Sequence, residues 1–163
     1  MRHRVQRIVP YTPEQLWTLV GDVERYPDFL PWVTSMRTWN QADAGEGIET
    51  LDAEATVSFS FLRERFSTRV TRDRPAMVIA VKLLSGPFRK LENRWRFRPH
   101  ATGGSVVEFE IEFEFKFRML DAMLAANFDT AVRKLMTSFE DRAKVLYGTA
   151  QPPLFPSPSG EGG

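Results

Sequence analysis

At 163 residues, with 22 Lys+Arg against 21 Asp+Glu and no cysteine, the chain has room for one domain with a well-covered core. Near-neutrality removes any global field that would gather nucleic acid or an anionic membrane, so such partners require a local patch. The lack of cysteine excludes disulfides, thiolate metal sites and a cysteine nucleophile, and it suits a reducing cytosol.

No apolar run approaches the roughly 20 residues that span a bilayer. The opening "MRHRVQRIVP" is too short in apolar residues for a signal peptide and runs straight into folded-looking sequence. The expectation is a mature cytoplasmic protein, with a first strand over residues 2–9.

Next comes a helix start. Thr12 is a good N-cap, Pro13 suits the first helical position, and Gln15 completes a capping box, with Tyr11 and Leu16 as its hydrophobic staple. Leu16, Leu19, Val20 and Val23 form the apolar face, and Gly21–Asp22 ends the helix after about two turns. The following "DVERYPDFLPW" reads as a second, broken helical segment, rich in large apolar groups and stiffened by Pro27 and Pro31.

From Trp32 a period of two takes over. A strand over roughly 32–40 is followed by "LDAEATVSFSF", with Leu51, Ala53, Ala55, Val57, Phe59 and Phe61 inward. Phe66, Thr68 and Val70 mark another strand, and "MVIAVKLLS" another, apolar on both faces at its start. "KLENRWRFRP" points Leu91, Trp95 and Phe97 inward. In "VVEFEIEFEFKFR" the apolar Val107, Phe109, Ile111, Phe113, Phe115 and Phe117 alternate with Glu and basic residues. That makes seven strands.

Leu120, Leu124, Phe128, Val132, Leu135, Phe139, Ala143 and Leu146 then recur at spacings of three and four, as one amphipathic helix over 119–147, roughly 40 Å long. The order predicts an α+β fold: one curved antiparallel sheet with its helices on one face, and a ligand cavity between sheet and long helix. The folded domain spans 1–149. The tail 150–163, "AQPPLFPSPSGEGG", is expected to be disordered.

"FRKLENRWRFR" resembles a nucleic-acid strip, but the next strand offers glutamates on its wet face. A hairpin pairing Glu92 with Lys116, and Arg94, Arg96 and Arg98 with Glu114, Glu112 and Glu110, would neutralise it. The arginines at 63, 65, 69, 72 and 74 have Asp52 and Glu54 as candidate partners. The two histidines, His3 in the first strand and His100 in a hairpin turn, read as solvent-facing or turn residues; no phosphate loop, metal motif or nucleophile elbow occurs. Asn93 falls among inward positions, so its amide is either satisfied by the fold or available to a ligand. No catalytic residue, metal or cofactor is expected.

"VPYTPEQLWTLVGDVERYPDFLPW", "GPFRKLENRWRF" and the terminal amphipathic stripe together resemble the coenzyme Q-binding protein family. That family belongs to the START-like, polyketide cyclase-like, helix-grip superfamily. The similarity covers residues 3 to about 147. The ribosome-association toxin family shares the Y-P-x-F-L-P core. Trp32 directly after it looks more like the quinone-binding branch, where cysteine commonly follows; here Val33 stands instead.

The resemblance implies an antiparallel sheet wrapped around the C-terminal helix and an apolar pocket for ubiquinone. It also implies a non-catalytic carrier or chaperone role that supports respiration or quinone synthesis. The motifs carry the pocket onto Tyr26, Phe29, Leu30, Pro31 and Trp32, then Phe88, Leu91 and Trp95. Inward positions add Val57, Phe59, Phe61, Asn93, Phe113 and Phe115, with Leu124, Phe128, Val132 and Leu135 of the helix; packing is the commoner fate of any one of them.

In this reading "DVERYPDFLPW" is a cavity rim that covers the entrance or dips into membrane, and a fixed plug is its alternative. The expected partners are ubiquinone or a similar hydrophobic molecule, with transient contact to the membrane surface or respiratory complexes and no DNA. A ribosome-binding regulator is the second reading and a cyclase-like enzyme the third. The absence of a transit peptide favours a bacterial protein, cytoplasmic or peripheral at the inner membrane.

Overall fold

Alternating side chains become seven strands in the computed structural model, whose described residues are 1–59 and 62–148, with the side chains of 59 and 62 excepted. In chain order they are β1 (Arg2–Val9), α1 (Pro13–Gly21), a 3-10 turn (Val23–Arg25), α2 (Tyr26–Phe29), β2 (Val33–Gly45) and β3 (Ile48–Phe59). There follow β4 (Leu62–Asp73), β5 (Val78–Ser85), β6 (Phe88–Pro99), β7 (Ser105–Phe115), α3 (Arg118–Ala126) and α4 (Phe128–Tyr147). The expected Phe61 and the tail 150–163 lie outside the described residues.

All strands join one antiparallel sheet in the order β1-β7-β6-β5-β4-β3-β2. Strands β2 to β7 form a meander. β1 and β2, consecutive in sequence, are the two opposite edges. Six inter-strand spacings of about 4.8 Å separate them, so residues 10–32 must carry the chain across some 29 Å. They do so as α1, the 3-10 turn and α2, on the face that also receives α4.

Thr12 caps α1 as the sequence implies: its hydroxyl accepts from Gln15 N at 3.1 Å while Gln15 Oε1 accepts from Thr12 N at 3.0 Å. Leu16, Trp17, Leu19 and Val20 of α1 are buried, and Trp17 Nε1 donates to Val78 O at 3.1 Å, tying the helix to β5. A Cβ on Gly21 would stand 3.0 Å from both Arg72 Cδ and Ile79 Cδ1, so the last turn of α1 lies directly against the sheet. α4 buries Phe128, Val132, Met136, Phe139 and Ala143 over Phe97, Phe109 and Phe113, all deep in the core. Arg7 of β1 donates to Glu140 of α4 at 2.8 Å.

Three expectations are corrected. The C-terminal helix is two helices, because Asn127 (φ −124°, ψ 15°) leaves helical geometry between α3 and α4. Its side-chain amide bonds back to Met123 O at 3.5 Å, the local competition that makes asparagine a poor helix-interior residue. α4 is therefore about 30 Å long rather than 40 Å, Met136 fills the core position beside half-buried Leu135, and Leu146 is exposed.

The β6–β7 register is shifted by four. Glu92 faces Glu112, Arg94 faces Glu110, Arg96 faces Glu108, and Arg98 faces Val106. The cause is a tight turn at 100–104, where His100 N donates to Gly104 O and Gly103 N to His100 O, each at 3.0 Å. Gly104 (φ +74°) has no room for a side chain: a Cβ there would fall 2.3 Å from Val9 O. The glutamates of β7 are shared with β1, through Arg2–Glu112 at 3.2 Å and Arg4–Glu110 at 2.8 Å, as well as Lys90–Glu112 and Arg98–Glu108.

His3 is the third correction. It is half-buried on the inner face, its ring edge-on to Phe128 at 5.0 Å and its Nδ1 3.9 Å from Asp129. His100 does occupy a turn, beside Thr102.

Two expected outcomes follow for stability. Thr12→Ala should cost about 1 kcal/mol in urea unfolding, through loss of the cap. On the outer face Asp52 accepts from Arg69 at 2.9 Å and from Asn40 at 3.0 Å, and the Arg69 bond first, then Asn40, holds its carboxyl below the usual aspartate value. That contribution is complete above about pH 4, the ordinary aspartate value, and is lost as pH falls through the lowered folded value. The urea midpoint of Asp52→Asn should accordingly lie below wild type at neutral pH and change less between neutral and acid.

Candidate functional site

Along β3–β7 one set of side chains points to the helices, and its burial is uneven. Leu51, Ala53, Val70, Ile79, Leu91, Trp95, Phe97, Phe109, Phe113 and Phe115 are buried. Val57, Phe66, Val81, Leu83, Phe88, Asn93 and Ile111 share that face yet are only half-buried. Well-packed inner faces leave no such exposure. Val81, Leu83, Asn93 and Ile111 also border a groove on the opposite face, whereas Val57, Phe66 and Phe88 lie toward the β3–β4 and β5–β6 turns, and Leu120 and Leu124 of α3 are half-buried as well. Phe117 and Met119, at the start of α3, are 64% and 74% exposed.

Sequence-derived site residues fall into two groups. Tyr26, Phe29 and Leu30 pack toward α4. The Tyr26 hydroxyl donates to Val20 O, and its ring meets Phe139 at 5.4 Å and Phe29 at 5.8 Å. Phe29 stands edge-on to Phe139 at 5.1 Å and carries the Arg142 guanidinium 5.2 Å above its ring. Leu30 is fully buried. Pro31 is exposed and Trp32 half-buried, its carbonyl accepting from Ser58 N at 2.8 Å.

Burial, and secondarily the charge of Asp22, pushes the Tyr26 phenol well above its usual pKa, so it stays a donor at every physiological pH. α2 is thus pinned, and beyond it Pro31 is exposed and Trp32 half-buried.

Trp95 (4.4 Å from Phe109, 5.0 Å from Phe139), Phe113, Phe128 and Val132 are core, and Leu91 and Phe115 are buried beside the half-exposed surface. Phe88 stacks on Phe115 at 4.6 Å and meets Phe66 edge-on at 5.3 Å. Val57, Phe88, Asn93, Leu124 and Leu135 are half-buried. The side chain of Phe59 and all of Phe61 lie outside the described residues. Phe66, Val81, Leu83 and Ile111 are absent from the sequence-derived set. Their alternation places them inward, but only the packing shows which inward residues stay uncovered.

Two grooves lie on the opposite, convex face. The first, of about 530 Å³, runs from β4 across β5–β7 to β1 and is lined by Arg2, Arg4, Arg69, Lys82 and Arg94 with Glu92, Glu110 and Glu112, and it also touches Val81, Leu83, Asn93 and Ile111. The second borders it at Arg4, Gln6, Arg94, Arg96, Glu108 and Glu110. Among the described residues no group of His, Asp and Glu is placed to hold a metal. Among the described residues no helix is long and apolar enough to cross a membrane.

A curved seven-stranded antiparallel sheet with a long C-terminal helix on its concave side defines a START-like fold. It is shared with a START superfamily protein of Mycobacterium smegmatis (20% identical, TM-score 0.74, covering 89% of this chain and 98% of that one). The chain belongs to the polyketide cyclase/dehydrase and lipid transport family, whose model matches residues 9–140. An 18 kDa protein of Caulobacter crescentus, solved in solution, is 56% identical over 91% of this chain and 99% of its own, with TM-score 0.78.

The ribosome association toxin RatA of Rickettsia prowazekii is 33% identical over 141 residues, 85% of this chain and 92% of its own. The mitochondrial coenzyme Q-binding protein COQ10 homolog B of Xenopus laevis is 28% identical over 151 residues, 91% of this chain and 60% of its own. Neither is named as an enzyme.

Tyr26→Phe removes the bond to Val20 O and should cost about 1 kcal/mol. Chemical denaturation of the two proteins checks this. An equal cost at pH 6 and pH 9 is expected, since the phenol stays protonated across that range.

Proposed function

We propose that this protein is a non-catalytic carrier of ubiquinone or a similar polyprenyl lipid, held on the concave face of the sheet. One observation supports the reading above the rest: the apolar inner-face residues Val57, Phe66 and Phe88 are only half-buried, and α3, beside Phe88, buries none of its own residues. Each buried CH₂ of a polyprenyl chain contributes about 0.8 kcal/mol, so a long lipid gains from such a lining more than from polar recognition. The similarity to a coenzyme Q-binding protein points the same way. Supply of quinone to respiration or to its synthesis is the use that fits a binder without reacting groups.

Organic extraction of protein purified from a quinone-producing bacterium should yield ubiquinone in near-stoichiometric amount. Leu83→Asp puts a charge on the uncovered wall and should lower the bound quinone about tenfold, with little change in melting temperature because Leu83 is not core. Trp95→Phe should leave the content nearly unchanged, since the indole is packed against Phe109 and Phe139. Protein that carries no lipid after extraction would overturn the reading.

A second reading, a regulator that associates with the ribosome, is favoured by the 33% identity to RatA. It would use the convex face, where among the described residues Lys82, Arg94 and Arg96 make no ion pair. Cosedimentation with large ribosomal subunits at moderate salt, lost in Arg94→Glu/Arg96→Glu and steeply weakened by added salt, would establish it.

A further inference from the structure

Exposed apolar side chains scattered singly are normal on a soluble surface, but one end of this sheet gathers them. Lys116 N donates to Pro87 O at 2.8 Å, one residue beyond the paired ends of β6 and β7, and the chain then leaves the sheet with Phe117 in extended geometry (φ −110°, ψ 122°). Phe117 therefore lies past the last strand that could cover it and is exposed, as is Met119 in the first turn of α3. Leu84, just before the β5–β6 turn at the same end, is exposed too, and α3 buries none of its residues.

Basic groups surround this apolar tip. Lys116 and Arg118 alternate with Phe117 and Met119, and neither makes an ion pair among the described residues. The segments 63–65, 84–90 and 114–121 share this end, with Gly86 lying against Phe66, and carry six basic residues against Glu64, Glu114 and Asp121. Arg89 and Lys90 are held by Glu114 at 3.7 Å and Glu112 at 3.2 Å, and Arg65 lies 4.0 Å from Glu54. Asp121 is engaged with Phe115 N. The whole chain has a net charge of only +1, so the excess belongs to this end and not to the molecule at large.

We infer that this end of the sheet, Phe117 and Met119 with Lys116 and Arg118, is a docking surface for an anionic lipid bilayer. The aromatic and thioether side chains enter the boundary between head groups and acyl chains, while the interleaved ammonium and guanidinium groups stay at the level of the lipid phosphates. Charge decides among occupants: a second copy would bring the same basic cluster against itself across a two-fold contact. The inference deepens the carrier reading by giving the lipid a place of exchange beside half-buried Phe88, and it rests on that reading only for the use the contact serves.

The test mixes the purified full chain with sedimentable vesicles free of quinone, made either of phosphatidylcholine alone or of phosphatidylcholine and phosphatidylglycerol in equal parts. Wild type should bind the anionic vesicles about tenfold more tightly than the neutral ones, and added salt should erase the difference. Lys116→Glu/Arg118→Glu should abolish the preference. Phe117→Ser/Met119→Ser should weaken binding to anionic vesicles about tenfold with the melting temperature unchanged, because neither side chain is covered. Val145→Ser, at an equally exposed apolar position near the far end of α4, should bind as wild type does.

Wild type that ignores both vesicles or binds both alike would overturn the inference without recourse to any variant. Binding that survives loss of Phe117 and Met119, a preference that survives the charge reversal, or an equal loss in Val145→Ser would also overturn it. Protein that yields quinone on extraction yet ignores vesicles overturns this inference alone. Protein that binds vesicles through Phe117 and Met119 yet yields no quinone overturns the carrier reading alone.

Discussion

The placement of β1 and β2 at opposite edges of one sheet is the constraint on which the rest of the structure depends. A chain that leaves one edge and must resume at the other has to pass over a face of the sheet, and the face it passes is the one α4 also needs. The crossing is made by short helices ending against the sheet at Gly21, then by α2 held through Tyr26 and Phe29 to Phe139. Two layers of helix thus share a single concave surface. They bury Trp95, Phe109 and Phe113 against Phe139 of α4, with Leu51, Val70 and Ile79 beside them, and leave Val57, Phe66 and Phe88 near the strand ends only half-buried.

The division explains how one set of inward side chains has two fates. Over β1, β7 and the middle of β6, aromatic rings meet α4 at centroid distances near 5 Å and form an ordinary core. Nearer the β5–β6 turn, the facing element is α3, which buries none of its residues. The half-open wall is therefore a consequence of helix placement and not of sequence composition, since Leu83 and Phe66 are as apolar as Leu91 and Phe97. The convex face follows different physics. Its ladder of arginines and glutamates is exposed, and each pair contributes little to stability. Its ion pairs link β1 and β6 to the glutamates of β7 without setting the β6–β7 register.

Much of this architecture was legible in the residues. The capping box at Thr12–Gln15 gave the first helix, and strict alternation gave the number, direction and inward set of the strands apart from Phe117, which lies exposed beyond the end of β7. Three features were not legible, each for a physical reason. Asn127 breaks the last helix in the middle of an apolar spacing of four, from Leu124 to Phe128, that passes through it undisturbed. The β6–β7 register was set by the turn at 100–104, where glycines allow a closure shorter than the charge pattern implied. Which inward residues stay uncovered depends on how closely two helices approach the sheet, and a period of two carries no information about that. Asn93 was recognisable as an anomaly; that its oxygen lacks a hydrogen-bond partner among the described residues was visible only once its cross-strand neighbours Val81 and Ile111 were in place.

The interruption at Asn127 also divides the C-terminal region energetically. α4 is moored by five buried side chains and by Arg7–Glu140, so unpicking it means dismantling the core. α3 is moored chiefly by Asp121, which accepts from Phe115 N at 3.0 Å, and by half-covered leucines. Excursions of the nine-residue segment should consequently require only a fraction of the free energy of global unfolding, and its amide protons should trade with solvent long before those of the twenty-residue rod beside it.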